Sequence, residues 1–137
     1  DLSEDALAVA QRNVQRHELE ERISLRQGDG LAAARGPYDL ILCNPPYVNH
    51  QSMQALPAEY RAEPALALDG GADGMDFIRP LLAQAAAHLQ PGGALVLEIG
   101  HERVHFEAAF PNLSPLWLST SAGDDQVLLL TREDLQP

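Results

Sequence analysis

The stretch from Leu40 to Cys43 is an unbroken apolar run, entered through Tyr38 and Asp39 and closed at once by Asn44, Pro45, Pro46 and Tyr47. An apolar run of strand length without alternation is the pattern of a strand covered on both faces, as in parallel sheets flanked by helices. Two successive prolines remove two backbone donors and fix two φ angles, so the strand must stop there. The run Ala94 to Gly100 (ALVLEIG) repeats the pattern. A helix-flanked sheet with a rigid strand end is therefore the frame into which the rest must fit.

The rest fits an α/β order. Ser3 is an N-cap for a helix in residues 4–19, with Glu4 and Asp5 at its positive end and Ala6, Val9, Ala10, Val14 and His17 on one face. Residues 22–27 (RISLRQ) alternate apolar and polar and predict a short strand ending at the turn Gly28-Asp29-Gly30. Residues 48–74 hold no sustained period, which predicts a long functional connection. Helical spacing returns in residues 75–90, with Pro80 inside it as a first-turn residue or a kink and Pro91-Gly92-Gly93 ending it. Residues 102–110 read as a short helix, and 115–120 with 126–131 as a closing antiparallel hairpin. Ligands in such sheets sit beyond the carboxyl ends of the strands, which directs attention to residues 27–30 and 43–47.

The net charge of −11 and a basic complement made entirely of nine arginines work against phosphate backbones and favour a basic partner. No apolar run reaches the roughly 20 residues that span a bilayer, and the opening residues lack a signal-peptide pattern. A cytoplasmic location without membrane contact is expected. Cys43, the only cysteine, reads as a small apolar strand residue.

The Asn44–Tyr47 turn offers carbonyls and no competing amide donor until Tyr47. The Asn44 side-chain oxygen and the Pro45 carbonyl suit the two hydrogens of a planar NH2 group, and Tyr47 suits its flat face. An amide or adenine amino nitrogen is a poor nucleophile because its lone pair is delocalised. Hydrogen bonds drawn from both N–H groups return density to nitrogen, and alignment with an electrophilic methyl supplies up to roughly 7–11 kcal/mol. The bland alternative is a loop stop after a strand.

With DLILCNPPYV, the later LPAEYRAEPALAL, GADGMDFIRPLL, LQPGGALVLEIG and VLLLTREDL, and the opening DLSEDAL, the chain resembles, almost end to end, the S-adenosylmethionine-dependent glutamine N5-methyltransferases that modify translation components. LPAEYR and the tryptophan-bearing hairpin are most similar to the branch acting on the third protein of the large ribosomal subunit, rather than on release factors. The resemblance implies a Rossmann-like class I methyltransferase sheet with a C-terminal antiparallel hairpin, and S-adenosylmethionine as cofactor. It implies Asn44 and Pro45 as the amide-holding pair, with Pro46 and Tyr47 completing the pocket. Asp1 matches the residue that binds the cofactor ribose, Asp29 and Gly30 the adenine-side turn, and Arg61, Glu63 and Pro64 a substrate loop. Gly30 departs from the larger residue usual at its position. Surface ion pairing is the competing reading of Arg61 and Glu63.

The family's first two strands, its glycine-rich cofactor loop and its N-terminal helical domain have no counterpart, so residues 1–137 are expected to be the C-terminal part of the methyltransferase domain. The missing strands lie between RISLRQ and YDLILC in the family's sheet. Their loss predicts a rearranged sheet, a swapped or paired assembly through exposed edges, or poor behaviour in isolation. The glycines of Asp69–Gly74 (DGGADG) follow no buried strand and are not a substitute for the cofactor loop. His101 to His105 (HERVH) matches the zinc-protease signature, but it follows a strand directly and has no third ligand, so no metal site is expected. Two rival functions remain: N6-adenine methylation of DNA or RNA, which uses the same turn on a flipped base, and a binding module without catalysis.

Overall fold

The computed structural model describes residues 1–55, 60 and 63–136 of the chain. They form two units, Asp1–Gly36 and the residues from Pro37 onward.

In the first unit, α1 (Glu4–Arg16) starts where Ser3 predicts, its hydroxyl accepting a hydrogen bond from the Ala6 N–H at 3.1 Å. The face differs from the expected one. Val14 is buried and Ala10 half-buried, while Ala6, Val9 and His17 are exposed. Residues 22–27 are not a strand. An alternating segment needs a neighbour to complete a ladder, and the backbone pairing made here is with Asp1: its nitrogen donates to the Arg26 carbonyl and its carbonyl accepts from Gly28 N–H, both at 3.0 Å. The turn Gly28–Gly30 leads into a single 3-10 turn, Gly30–Ala33.

The second unit is a four-stranded sheet with order β1-β2-β4-β3. Strand β1 (Tyr38–Cys43) runs parallel to β2 (Leu89–Glu98), which pairs antiparallel with β4 (Gly123–Thr131); β3 (Leu116–Thr120) completes the hairpin. The hairpin and the two apolar strands are as predicted. Pro91-Gly92-Gly93 does not precede β2 but lies inside it, as an irregularity between the pairs Tyr38–Leu89 and Leu40–Ala94.

Between the strands come the short helix α2 (His50–Ala55), α3 (Ile78–Ala85) with Pro80 in its first turn, and α4 (Arg103–Ala109). One sheet face is buried: Leu95, Leu97 and Ile99 of the β2 segment and Leu128 and Leu130 of β4, with Ile78, Leu81, Leu82 and Ala85 of α3 and Phe106 of α4 completing the core. Each fully buried side chain of this kind contributes about 1.5–3 kcal/mol. Phe106 also packs at a tilt against Phe110 and meets Trp117 of β3 edge-on, with centroids 5.0 and 6.1 Å away.

The opposite face corrects the expectation of two-sided cover. Register places Leu42, Val96, Leu129 and Leu116 in one row, and Leu42 and Leu116 are 72% and 61% exposed. A continuous apolar run reports what a strand tolerates on its faces, not what lies there. The sheet also has no gap and no rearranged pairing. Since residues 22–27 are not a strand, the sheet ends at β1 as an edge.

Candidate functional site

The site in the second unit begins where β1 ends. Cys43 pairs with Leu97, so Asn44 and Glu98 stand at the adjoining carboxyl ends of two parallel strands, on the same face as Leu42 and Val96. Leu42, Cys43, Asn44, Val96, Glu98 and Val127 line one open cleft of about 330 Å3. Asn44 is exposed there while Pro45 beneath it is buried. Of the predicted group, Asn44 lines the cleft, while Pro45, Pro46 and Tyr47 continue the chain from it and are not among its described lining residues.

The turn is held by contacts that the chain's local sequence does not reveal. The Tyr47 hydroxyl donates to Glu98 Oε1 at 3.3 Å. Its ring lies against Gly100, whose φ of 52° suits glycine and where an added Cβ would sit 2.6 Å from the ring. On the other side Gly74, at φ 79°, approaches so closely that a Cβ would lie 2.3 Å from the Tyr47 carbonyl oxygen. The glycines of residues 69–74 therefore serve backbone approach to the turn. Val48 and Asp69 form a parallel bridge, with Val48 N–H donating to Leu68 and Gly70 N–H to Val48, both at 2.9 Å.

Asn49 fixes the next step. Its side-chain oxygen accepts from Ser52 N–H at 2.8 Å, capping α2, and its amide donates to Glu102 Oε1 at 2.7 Å. Glu102 is buried, and its second oxygen meets His105 Nδ1 at 2.5 Å. A buried carboxylate needs such partners. This explains residues 101–105: Glu102 precedes α4 as a structural acceptor, His101 lies outside the helix, and the described residues hold no cluster of metal-ligating side chains.

Two groups at the end of β1 carry raised pKa values. Burial pushes the Cys43 thiol up to about 11, so at neutral pH it is a protonated, unreactive group. Burial first, then the charge and hydrogen bond of Glu98, push the Tyr47 phenol up to about 12. Tyr47 remains a hydrogen-bond donor throughout the physiological range.

Arg61 lies outside the described residues. Glu63 and Pro64 are exposed, and Pro64 precedes a 3-10 turn at Ala65–Ala67.

The first unit carries the other predicted residues. Asp1 lies beside residues 26–28 through the backbone pairs given above, and its Oδ1 accepts from Ser3 N–H at 2.8 Å. Asp29 precedes the 3-10 turn, and its side chain makes no capping bond. Both carboxylates are exposed, and Gly30 adopts a φ of 49°. These are acceptors of the kind that a ribose diol and an adenine amino group require, so in chemistry they fit the nucleoside part of S-adenosylmethionine.

Sequence reasoning missed Glu98, Glu102 and Asn49. For Glu98 a signal was present: a single carboxylate within the apolar run Ala94–Gly100.

The chain matches the family "Methyltransferase small domain" over residues 1–71. It is 62% identical over 138 residues to a "Ribosomal protein uL3 glutamine methyltransferase" of Bordetella pertussis, covering 98% of this chain and 46% of that relative. A relative of the same name from Neisseria gonorrhoeae is 53% identical over 98% of this chain and 45% of its own length. One from Francisella tularensis is 38% identical, with 98% and 43% covered. The chain thus spans a little under half the length of these curated relatives.

Proposed function

The chain belongs to the methyltransferase small domain family, and from that premise we propose that its protein transfers a methyl group from S-adenosylmethionine to the side-chain amide nitrogen of a glutamine in a ribosomal protein. The observation that carries this reading is Asn44-Pro45-Pro46-Tyr47 following β1, with Asn44 lining a cleft and Tyr47 held by Glu98, Gly74 and Gly100. The names of the relatives, with 62% identity in the first, support glutamine as the acceptor and uL3 as its carrier. A net charge of −11 supports a basic protein over a nucleic acid.

The chemistry follows from the turn. The Asn44 side-chain oxygen and the Pro45 carbonyl accept the two N–H bonds of the substrate amide, raising density on its nitrogen and fixing its direction. When bound, S-adenosylmethionine supplies the electrophilic methyl group. The amide nitrogen would gain that methyl as the methyl–sulfur bond breaks, leaving S-adenosylhomocysteine, and would release one proton, for which the open cleft provides a path to water. Tyr47, a stable donor to Glu98, walls the flat group. Cys43 lines the same cleft as a neutral thiol and does not compete for the methyl. Asp1 takes the ribose hydroxyls and Asp29 with Gly30 the adenine side. Arg61, Glu63 and Pro64 belong to the substrate loop.

Residues 1–137 form the C-terminal part of the methyltransferase domain in this reading, so the test has two arms. In calorimetry on the chain, S-adenosylhomocysteine should bind saturably, and Asp1→Ala should weaken it about tenfold or more. In a chimera whose matched stretch of the Bordetella pertussis relative is replaced by this chain, uL3 should gain one methyl on a glutamine side chain, located by mass spectrometry. Methyl on DNA and none on uL3 would overturn the reading.

A further inference from the structure

Among the described residues Glu98 is the one carboxylate lining the cleft, and the register of β1 on β2 sets it beside Asn44. It ends the apolar stretch Ala94–Leu97 of β2, and the next residues, Ile99 and Gly100, are buried. Glu98 itself is half-buried and faces the open cleft. Its hydrogen bond with the Tyr47 hydroxyl, at 3.3 Å, joins the end of β2 to the turn at the end of β1. Glutamine and glutamate side chains have nearly the same shape, so a site of carbonyl acceptors alone separates them only by what it leaves unpaired. A fixed negative charge adds repulsion against the carboxylate and none against the amide.

We infer that Glu98 determines specificity in this site: it positions Tyr47 through its hydroxyl and places beside Asn44 a negative charge that admits an amide and excludes a carboxylate. The inference rests on the proposed glutamine methylation and adds to it the residue that rejects glutamate. Protonation of Tyr47 at neutral pH keeps the hydroxyl available as the donor this requires.

The experiment uses the chimera described above. Its methyl acceptor is Bordetella pertussis uL3, and the competitor is the same protein with the methylated glutamine replaced by glutamate. For the wild type, the glutamate protein should compete at least about tenfold more weakly than the glutamine protein binds, and Glu98→Gln should remove most of that gap. Asp124→Asn, an equal charge change on an exposed residue, should leave the gap unchanged. A merely structural role for Glu98 would weaken both proteins alike. The second readout needs no activity: with fluorotyrosine incorporated into the chain, the fluorine resonance that Tyr47→Phe deletes should move in Glu98→Gln and stay in Asp124→Asn. Wild-type transfer with an unchanged gap in Glu98→Gln, or a Tyr47 resonance indifferent to Glu98, overturns the inference while leaving the proposed function intact. Absence of wild-type transfer to uL3 overturns the proposed function and the specificity role with it.

Discussion

Residues 1–36 and the unit that follows them carry the two halves of the proposed chemistry on very different foundations. Among the described residues Val14 is the single member of the buried apolar core in the first unit, and every other lies between Met75 and Leu130. The carboxylates Asp1 and Asp29 therefore stand on a helix and turns with little hydrophobic support. Asn44, by contrast, ends a strand whose neighbour β2 is the centre of the core, and the turn after it is held from Glu98, Gly100, Gly74 and, through Asn49, Glu102. An acceptor that must align a nitrogen within a fraction of an ångström needs a rigid mount. Cofactor acceptors that engage a flexible ribose need less. The difference shows where this fold invests its packing.

Substitutions can break or sharpen that contrast. The largest stability effect is expected at Phe106→Ala, which empties a fully buried position and its contacts with Phe110 and Trp117: about 3–5 kcal/mol by denaturant titration of the chain. A loss under 1 kcal/mol would show that the core of the second unit is not where burial places it. Next comes Glu102→Ala, which strands the Asn49 amide and removes the acceptor beside His105. We expect a loss of about 1–3 kcal/mol, accompanied by faster amide exchange at residues 47–52. Exchange unchanged there would detach Glu102 from the turn. Ser3→Ala, removing the cap of α1, should cost about 1 kcal/mol and be read locally as faster exchange in residues 4–8, since so little packing supports that helix. Spread of the effect into β2 would contradict the separate standing of the two units.

The effect confined to the narrowest conditions is a pH dependence. The Tyr47 phenol is raised in the folded chain to about 12, so its contribution to stability is fully present below the unfolded value near 10 and is lost as pH rises through about 12. Tyr47→Phe should flatten the stability profile in that alkaline window and leave its slope near neutral pH unchanged. A variant profile that parallels the wild type would place the phenol in water.

What the sequence reveals, and what it hides, follows the same division. The strand ends, the hairpin and the Ser3 cap were legible because each is set by local chemistry: apolar runs, prolines, a turn, a hydroxyl before a helix. The Asn44–Tyr47 turn was legible for the same reason, since two prolines fix what the backbone offers. Residues 22–27 were misjudged because alternation describes a strand only when a neighbour completes its ladder. The exposed row of Leu42 and Leu116 was hidden because hydrophobicity does not specify what covers it. Glu98, Asn49 and Glu102 were hidden because their partners are 51 to 53 residues away in sequence or are chosen by the register of β1 on β2.

The most direct test of the central claim is methyl transfer by Asn44→Ala in the chimera. Removal of one acceptor oxygen from a rigid turn should lower transfer to uL3 by about two to three orders of magnitude, with the denaturation midpoint of the variant unchanged. Transfer at the wild-type rate would contradict the assignment of Asn44 as the group that holds the amide, and with it the account of this site.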